Sequence, residues 1–306
     1  MNDGIMKSGN RTGNRTIEVI DIDSREYPVR LRNIPDPPQR LYCSGRLELL
    51  YRRSVALVGS RKTTQYGRNT AREFAYKLAK RGICIVSGMA AGIDTCAHEG
   101  ALKCDGDTVA VFGCGPDICY PLINRRLMET IEDKGLIVSE YPPGTEARRY
   151  QFPMRNRIIT GLSEAVIVVQ AGLKSGAALS AEHAVNQGRD VYAVPGNIDS
   201  QYNLGSNKLI QDGAGVLLSS GDLLEKLGLS VLTEEEEARV FSRDEKNIYD
   251  LLSTRGELTI DQICMATGMK PGEVVRMVSI MELKGTVFCD MGKVFVAKFG
   301  KTTYNH

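Results

Sequence analysis

Short apolar runs alternate with segments of helical periodicity through residues 55–228 of this chain. A short apolar run bounded by turn residues predicts a buried strand of a parallel sheet. Such runs predict strands at residues 55–58, 83–86, 108–112, 136–139, 165–169, 190–194 and 215–218, with helices between them. Because strands and helices alternate, the sequence predicts an α/β fold with a doubly wound, mostly parallel sheet.

The segments on either side of this pattern differ from it in composition. Residues 1–24 form a leader that begins with a polar stretch and is predicted to be disordered. Residues 27–45 hold four prolines, which favour an extended surface segment over a helix or an interior strand. The four glutamates at 234–237 mark an acidic linker, predicted at residues 231–242. The predicted sheet domain therefore covers residues 25–230.

Residues 243–300 are predicted to form a small separate domain. Helical segments begin near residues 244, 259 and 271, and two short strands follow at 286–289 and 294–297. Three helices and a hairpin are typical of a winged helix-turn-helix. The third helix carries the cations Arg276 and Lys284 and the acids Glu273 and Glu282, whereas a groove-reading helix normally presents more cations. Recognition of duplex DNA and contact with a protein both remain open for this domain.

The first predicted strand leads into a turn whose chemistry suits a phosphate group. Residues 55–58 are followed at once by Gly59, Ser60 and Arg61, and then by a helical segment. Glycine lets the backbone approach a phosphate, a helix N-terminus offers free N–H donors, and arginine adds a bidentate anion fork. The dinucleotide fingerprint GxGxxG is incomplete, because Arg61 stands where it requires glycine. A structural turn without a ligand is the alternative interpretation.

Two stretches of the chain carry several cations and no acidic residue, namely residues 52–72 and 148–163. The second stretch interleaves its arginines with aromatic and amide side chains; these residues are Arg148, Arg149, Tyr150, Gln151, Phe152, Arg155, Asn156 and Arg157. Cations interleaved with aromatic rings suit single-stranded nucleic acid, since cations neutralise phosphates and rings stack on bases. Either stretch alone would more often be a solvated face.

Overall composition narrows the class of protein without identifying a ligand. The net charge of this 306-residue chain is only +2, so a nucleic-acid surface must come from local clustering. The sequence contains no apolar run near the roughly 18 residues of a membrane helix and no secretory signal. The eight cysteines form no CxxC pair, which is typical of reduced, buried thiols in a cytoplasmic protein and does not favour a metal site.

Evidence for catalysis is weak in this sequence, because the GxSxG, HExxH and Walker A motifs are all absent. Asp94 and His98 could share one helix face, although a capping Asp with a packed His above it is the favoured interpretation. Ser175 and Gly176 form a second turn that could hold an anion at a helix N-terminus. Glu182, in the helix that follows, is the carboxylate placed for hydrolysis of a nucleotide glycosidic bond.

Several motifs occur together in a fixed order along the chain. They are VGSR at 58–61, SGMAAGID at 87–94, FPMRNRII at 152–159 and GSNKLI at 205–210, with Tyr120-Pro121, Ser139-Glu140, Ser175-Gly176 and Pro195-Gly196. With this series, residues 25–228 resemble the DNA-processing protein A family (DprA, also called Smf). The last 60 or so residues resemble a winged-helix accessory domain that is common in the same family.

The resemblance implies an extended Rossmann-like domain that binds single-stranded DNA. It further implies a homodimer that displaces single-strand-binding protein and loads the RecA recombinase onto the strand during natural transformation, with no catalysed reaction and no cofactor. By motif, the implied nucleic-acid site consists of Gly59, Ser60, Arg61, Phe152, Arg155, Asn156, Arg157, Lys174, Ser175 and Gly176. No catalytic residue, metal ligand or membrane contact belongs to that role.

Many members of the family begin with a helical domain, whereas this chain begins with a short polar leader. Nucleoside-monophosphate phosphoribohydrolases resemble the chain in sheet order and glycine-rich turns. Their PGGxGTxxE motif is absent, since residues 173–182 read LKSGAALSAE. A nucleotide-binding protein, or an enzyme of that kind on the same fold, is therefore the alternative to the DNA-binding mediator.

Overall fold

The computed structural model describes residues 16–173, 175–229, 242–283, 286–290 and 292–296. It divides the chain into two compact units, residues 1–220 and residues 221–306. The first unit contains the strands β1 Glu18–Asp21, β2 Arg40–Gly45, β3 Ser54–Gly59, β4 Cys84–Ser87, β5 Thr108–Phe112, β6 Leu136–Ser139, β7 Ala165–Gln170, β8 Asp190–Ala193 and β9 Gly215–Val216.

These strands form one sheet in the order β1-β2-β6-β5-β4-β3-β7-β8-β9. In this order across the sheet, every pair of neighbours between β6 and β9 is parallel. By contrast, β1 with β2 and β2 with β6 form antiparallel pairs. The prediction of a doubly wound, mostly parallel sheet is therefore confirmed, as are the seven predicted strands. The chain extends from β3 to β6 in one direction and then returns to place β7 beside β3.

Helices accompany the strands in the alternation that the apolar pattern predicts. They are α1 Val29–Arg32, α2 Gln65–Lys80, α3 Ile93–Leu102, α4 Arg125–Lys134, α5 Gln151–Leu162, α6 Gly176–Asn186, α7 Leu204–Gln211 and α8 Ser220–Lys226, with short 3-10 helices at Leu47–Tyr51 and Leu122–Asn124. Alternate side chains of β5 enter different cores: Val109 and Val111 join one, and Ala110 and Phe112 the other. Because both faces of the sheet are covered, its central strands carry apolar side chains on both faces, and their polar residues stand at strand ends, as Ser87 and Gln170 do.

The proline-rich segment differs from its prediction as an extended surface segment without a helix or an interior strand. Val29–Arg32 forms the short helix α1, and Arg40–Gly45 forms β2, which is paired on both edges. β2 can pair on both edges because the last proline of this segment is Pro38, which precedes the strand. Every residue of β2 therefore keeps an N–H group for the hydrogen bonds of the sheet. Glu18–Asp21, within the leader expected to be disordered, forms β1 and pairs with β2.

The second unit has the arrangement of a winged helix-turn-helix in the part that the structure describes. Its elements are α9 Arg243–Arg255, β10 Leu258–Thr259, α10 Ile260–Thr267, α11 Pro271–Leu283, β11 Val287–Asp290 and β12 Lys293–Val296. The strands form an antiparallel sheet in the order β10-β12-β11, of which β10 was not expected. Capping boxes at Ser242 with Glu245 and at Thr259 with Gln262 explain where α9 and α10 begin. Residues 230–241, which include most of the expected acidic linker, lie outside the described residues, as does Lys284.

Candidate nucleic-acid interface

The carboxyl ends of the parallel strands, here called the carboxyl rim, bring the predicted glycine turns together. The direction of the chain reverses between β3 and β7, and ligands of doubly wound sheets bind in the crevice at such a switch point. Gly59 ends β3, and the N–H of Ser60 donates to the carbonyl of Gln170 at the end of β7, over 2.8 Å. A Cβ on Gly59 would lie 2.5 Å from the Cγ1 atom of Ile93, so only glycine fits this close approach.

The turn after β3 holds Arg61 and Lys62 in exposed positions. Neither forms an ion pair with a residue that the structure describes. The helix α2 begins only at Gln65, with Thr64 as its N-cap, so Ser60 and Arg61 precede the helix N-terminus that the sequence places directly after them. The loop before α3 packs against this turn, since a Cβ on Gly92 (φ +92°) would lie 2.4 Å from the carbonyl oxygen of Ser60.

Arg61 lies next to a pair of aromatic rings. Its guanidinium carbon is 5.1 Å from the ring centroid of Phe152, a cation–π contact. The ring centroid of Phe152 is in turn 5.1 Å from that of Tyr120, with the ring planes tilted by 32°. Phe152 belongs to the first turn of α5, and Tyr120 lies between β5 and α4, so three separate segments of the chain meet here. Arg148 and Arg149, just before α5, are exposed nearby in sequence.

Arg155 is placed under the carboxyl rim rather than on it. Only 3% of its surface is exposed. Its Nη1 atom donates to the carbonyl oxygen of Gly88, just beyond β4, and to that of Val111, near the end of β5. Burial lowers the pKa of Arg155 to about 10, although the carboxylate of Asp94 opposes that shift. A Cβ on Gly88 would lie 2.3 Å from Nη1, so this glycine makes room for the guanidinium. The geometry gives Arg155 a positioning role beneath the loops.

The two residues that follow Arg155 also bind protein groups. Asn156 accepts from the Nε atom of Arg155 over 3.3 Å and donates to the carbonyl of Gly176 over 3.4 Å, so it links α5 to the start of α6. Arg157 is 7% exposed, and its guanidinium pairs with Asp36 over 2.8 Å and with Glu140 over 2.7 Å. Asn156 is uncharged and the guanidinium of Arg157 is paired, so neither side chain presents a free cation to solvent.

The second predicted anion turn lies at the start of α6. Ser175 is the N-cap of this helix, and its hydroxyl accepts from the N–H of Ala177 over 3.2 Å. Gly176 is exposed, and a Cβ there would meet no atom within 4 Å. Lys174 lies outside the described residues. Glu182, the candidate for hydrolysis, is exposed on α6.

The first acid-free stretch is divided between two sides of the sheet. Arg52 and Arg53 precede β3, at the amino ends of the strands, where Arg53 pairs with Glu164 over 3.0 Å. Arg72 pairs with Glu99 of α3 over 2.8 Å. A stretch without acids in sequence therefore acquires acidic partners in space. Among the described residues, its cations near the carboxyl rim that form no ion pair are Arg61, Lys62 and Arg68.

Two residues of the carboxyl rim were missed as site candidates. Tyr120 was noted only within a motif, and its contact with Phe152 depends on the pairing of distant segments. The buried side chain of Gln170 accepts from the N–H of Thr64 over 2.9 Å and donates to the Oδ1 atom of Asn203 over 2.7 Å. It thereby joins the turn after β3 to the loop before α7. Its place at the end of an apolar run is the one sequence signal that could have identified it.

Asp94 and His98 are both buried but do not bond to each other in the way that their spacing allows. Asp94 accepts from the N–H of Ala90 over 3.3 Å, and burial raises its pKa. The Thr108 hydroxyl donates to the carbonyl of Ile85, so it accepts from the Nδ1–H of His98, over 2.7 Å. Burial lowers the pKa of His98 to about 3, which keeps the ring neutral. The packed-His interpretation is therefore confirmed, although Gly92 rather than Asp94 is the N-cap of α3.

Within the described ranges, no three His, Cys, Asp or Glu side chains converge as a metal site would require. Among the same residues, no helix is long and apolar enough to cross a membrane.

Comparison with known proteins gives a consistent result. The sequence model of the family described as DNA recombination-mediator protein A matches residues 18–228. Protein Smf of Synechocystis sp. is 44% identical over 229 residues, which cover 72% of this chain and 57% of that relative's length. DNA processing protein DprA of Bacillus subtilis is 42% identical over 212 residues, covering 69% and 71% of the two chains.

Two solved structures resemble the chain at comparable identity. DNA processing protein A from Streptococcus pneumoniae is 41% identical, with a TM-score of 0.67, covering 69% of this chain and 74% of that one. DNA processing protein A from Helicobacter pylori, whose structure concerns a single-stranded DNA binding mode, is 34% identical with a TM-score of 0.62, covering 65% and 92%.

Proposed function

Because the chain belongs to the DNA recombination-mediator protein A family, we propose that it binds single-stranded DNA and loads the RecA recombinase onto it during uptake and recombination of transforming DNA. The proposal includes a homodimer that displaces single-strand-binding protein in the cytoplasm and catalyses no reaction. The Helicobacter pylori relative, which binds single-stranded DNA, supports the choice of ligand.

The observation that carries this proposal is the contact of Arg61 with Phe152 beside the exposed ring of Tyr120. Unpaired cations next to aromatic rings suit a single strand, because the cations neutralise phosphates while the rings stack on bases. Arg61 and Lys62 are exposed in the turn after β3, Arg148 and Arg149 are exposed just before α5, and none of the four forms an ion pair with a described residue. A duplex would hide its bases from these rings.

The ten predicted site residues take different roles in this proposal. Gly59 and Ser60 form the tightly packed turn that presents Arg61 to the strand, Arg61 contacts phosphate, and Phe152 belongs to the aromatic surface. Arg155, Asn156 and Arg157 hold the surrounding loops through their protein contacts. Ser175 and Gly176 extend the phosphate path towards α6. Lys174, which lies outside the described residues, keeps its predicted role as a phosphate contact.

Anisotropy titration of oligo-dT with the Arg61→Ala variant tests the proposal. Loss of one charged hydrogen-bonding partner is expected to weaken binding by about 1.5–3 kcal/mol. The matched control is Arg53→Ala, which removes an exposed arginine from the amino ends of the strands and should leave affinity unchanged. Equal affinity of the Arg61→Ala variant and the wild type, with both folded, would contradict this placement of the phosphate contact.

The salt dependence of binding provides a second measurement. Four unpaired cations that each neutralise one phosphate predict a log–log slope of roughly −3, at about −0.7 per single-strand phosphate. A flat salt response would contradict phosphate binding, and a preference for duplex DNA would contradict base stacking. Release of free base from a nucleoside monophosphate would instead favour the phosphoribohydrolase alternative.

A further inference from the structure

Phe152 is already surrounded by protein groups at the carboxyl rim. The guanidinium of Arg61 and the ring of Tyr120 both contact it, each about 5.1 Å from its centroid. A Cβ on Gly113 would lie 3.0 Å from its Cδ1 atom, so the ring also packs against the backbone beyond β5. Phe152 is half-buried as a result, so less of it is open to a base than of an exposed aromatic residue.

Tyr120, by contrast, presents its ring to solvent. The residue is 44% exposed, and the neighbouring Leu122 and Ile123 are 69% and 85% exposed. Large apolar side chains exposed side by side are characteristic of binding surfaces. The hydroxyl of Tyr120 forms no hydrogen bond with a described residue, so the protein does not use it.

The segment that carries Tyr120 is held in place by a buried anchor. Asn124, which is 6% exposed, donates to the carbonyl of Met89 over 2.8 Å and to the Thr95 hydroxyl over 2.9 Å. These bonds fix the segment against the loop after β4 and against the first turn of α3. A ring that is already ordered loses less conformational entropy when a ligand binds to it.

From these contacts we propose that Tyr120 is the base-stacking surface of the single-strand site and that Phe152 supports it from within the protein. This inference rests on the proposed function, because it assigns one subsite of the same interface. Arg61, in contact with the supporting ring, is positioned for a phosphate next to the stacked base. Tyr150 is more exposed, at 61%, but makes no ring contact with a described residue, so Tyr120 is the ring that the aromatic pair supports.

The first experiment compares the full-length wild type with Tyr120→Ala on two ligands. One ligand is oligo-dT, and the other is an abasic oligonucleotide of equal length with the same phosphates. The variant is expected to bind oligo-dT about tenfold more weakly, as loss of one stacked base predicts, and to bind the abasic strand like the wild type. Tyr120→Phe keeps the ring and should stay within about twofold of the wild type on oligo-dT.

Tyr51→Ala is the matched control, since Tyr51 is 56% exposed and lies before β3, at the amino ends of the strands. It should leave binding of both ligands unchanged. A spectroscopic test is also available because the chain contains no tryptophan. In Tyr120→Trp, oligo-dT should quench the single indole, and in Tyr51→Trp it should not.

The outcomes separate this inference from the function on which it rests. If the wild type does not bind oligo-dT, both the proposed function and the stacking role are overturned. If the wild type binds and Tyr120→Ala binds equally well, the function stands and the stacking role is wrong. Equal losses on oligo-dT and on the abasic strand would also overturn stacking, because they would show that Tyr120 acts without a base.

Discussion

Single residues determine how the loops of the carboxyl rim pack around their buried charges. Arg155 donates to strand-end carbonyls in a space that Gly88 leaves open, and His98 stays neutral against Thr108. Arg61 is one of the exposed cations of this region and differs from Arg155 because no strand end covers it. Burial therefore divides the arginines of the predicted site into one that can contact a ligand and others that hold the protein together.

Gly88→Ala should destabilise the first unit, because the new Cβ would lie 2.3 Å from the guanidinium of Arg155. Overpacking of this kind costs about 1–3 kcal/mol of the free energy of unfolding. Denaturant unfolding measures the change. Gly176→Ala is the control, since nothing lies within 4 Å of its Cβ, and it should leave stability unchanged or raise it by up to about 1 kcal/mol. Equal stability of both variants would show that the buried guanidinium moves freely.

His98 should make stability depend on pH. Its pKa is about 3 in the folded protein, because burial disfavours the charged ring, whereas an unfolded histidine titrates near 6.5. Between these values the unfolded state binds more protons, so stability falls as pH decreases, by up to about 1.4 kcal/mol per pH unit. Unfolding of wild type and His98→Asn at pH 7.5 and 5 measures this. The variant should lose part of the slope, and identical slopes would contradict a neutral buried imidazole.

At the scale of elements, the turns at the carboxyl rim are joined by side chains at strand ends. Gln170 at the end of β7 bonds both to the turn before α2 and to Asn203 before α7. Asn207 of α7 brackets Gly196, accepting from its N–H over 3.1 Å and donating to its carbonyl over 2.9 Å. The sheet thus determines the positions of loops that are distant in sequence.

Gln170→Leu should leave the N–H of Thr64 and the Oδ1 atom of Asn203 without their buried partner. Each such loss costs about 1–3 kcal/mol of the free energy of unfolding, so the variant should be clearly destabilised. Urea unfolding measures the effect. Gln65→Leu is a matched control on α2, because the Gln65 side chain is exposed and, in the part of the chain that the structure describes, bonds only to Asn69. It should remain within about 0.5 kcal/mol of the wild type. A neutral Gln170→Leu would mean that the loops are held by other contacts.

At the scale of the whole molecule, each of the two units contains a buried apolar core. The core of the winged-helix unit contains Ile248, Leu252, Ile263, Val274, Val278 and Met281, whereas the sheet has cores of its own. Every described residue of the proposed DNA site lies before residue 221. Within Pro271–Leu283, Arg276 is the one cation, with Glu273 and Glu282 as acids.

A chain that ends at residue 229 should therefore fold and bind oligo-dT with an affinity close to that of the full chain. Removal of the winged-helix unit is expected to change duplex affinity or protein contacts more than single-strand affinity, because α11 presents few cations. Anisotropy at one fixed salt concentration compares the two proteins. If truncation abolishes binding while circular dichroism shows a folded sheet domain, the site has been assigned to the wrong unit.

The sequence by itself determined the elements whose signals are local. Apolar runs between turn residues predict the strands from β3 to β9, and helical segments that begin near residues 244, 259 and 271 predict the helices α9 to α11. It did not predict β1 or β2, because their stability comes from pairing with each other and with β6, which is distant in sequence. Prolines before β2 gave a misleading local signal.

Only the tertiary structure decided which of the candidate site residues reach solvent. The arginines at 155 and 157 share one short motif with Phe152, yet strand-end carbonyls and two carboxylates enclose them. Arg53 and Arg72 belong to an acid-free stretch, yet each meets a glutamate from another segment. The rings of Tyr120 and Phe152 are also distant in sequence and come into contact only through the fold. The physical reason is that desolvation and pairing depend on neighbours in space, and the order of strands in the sheet, not the order of residues, selects those neighbours.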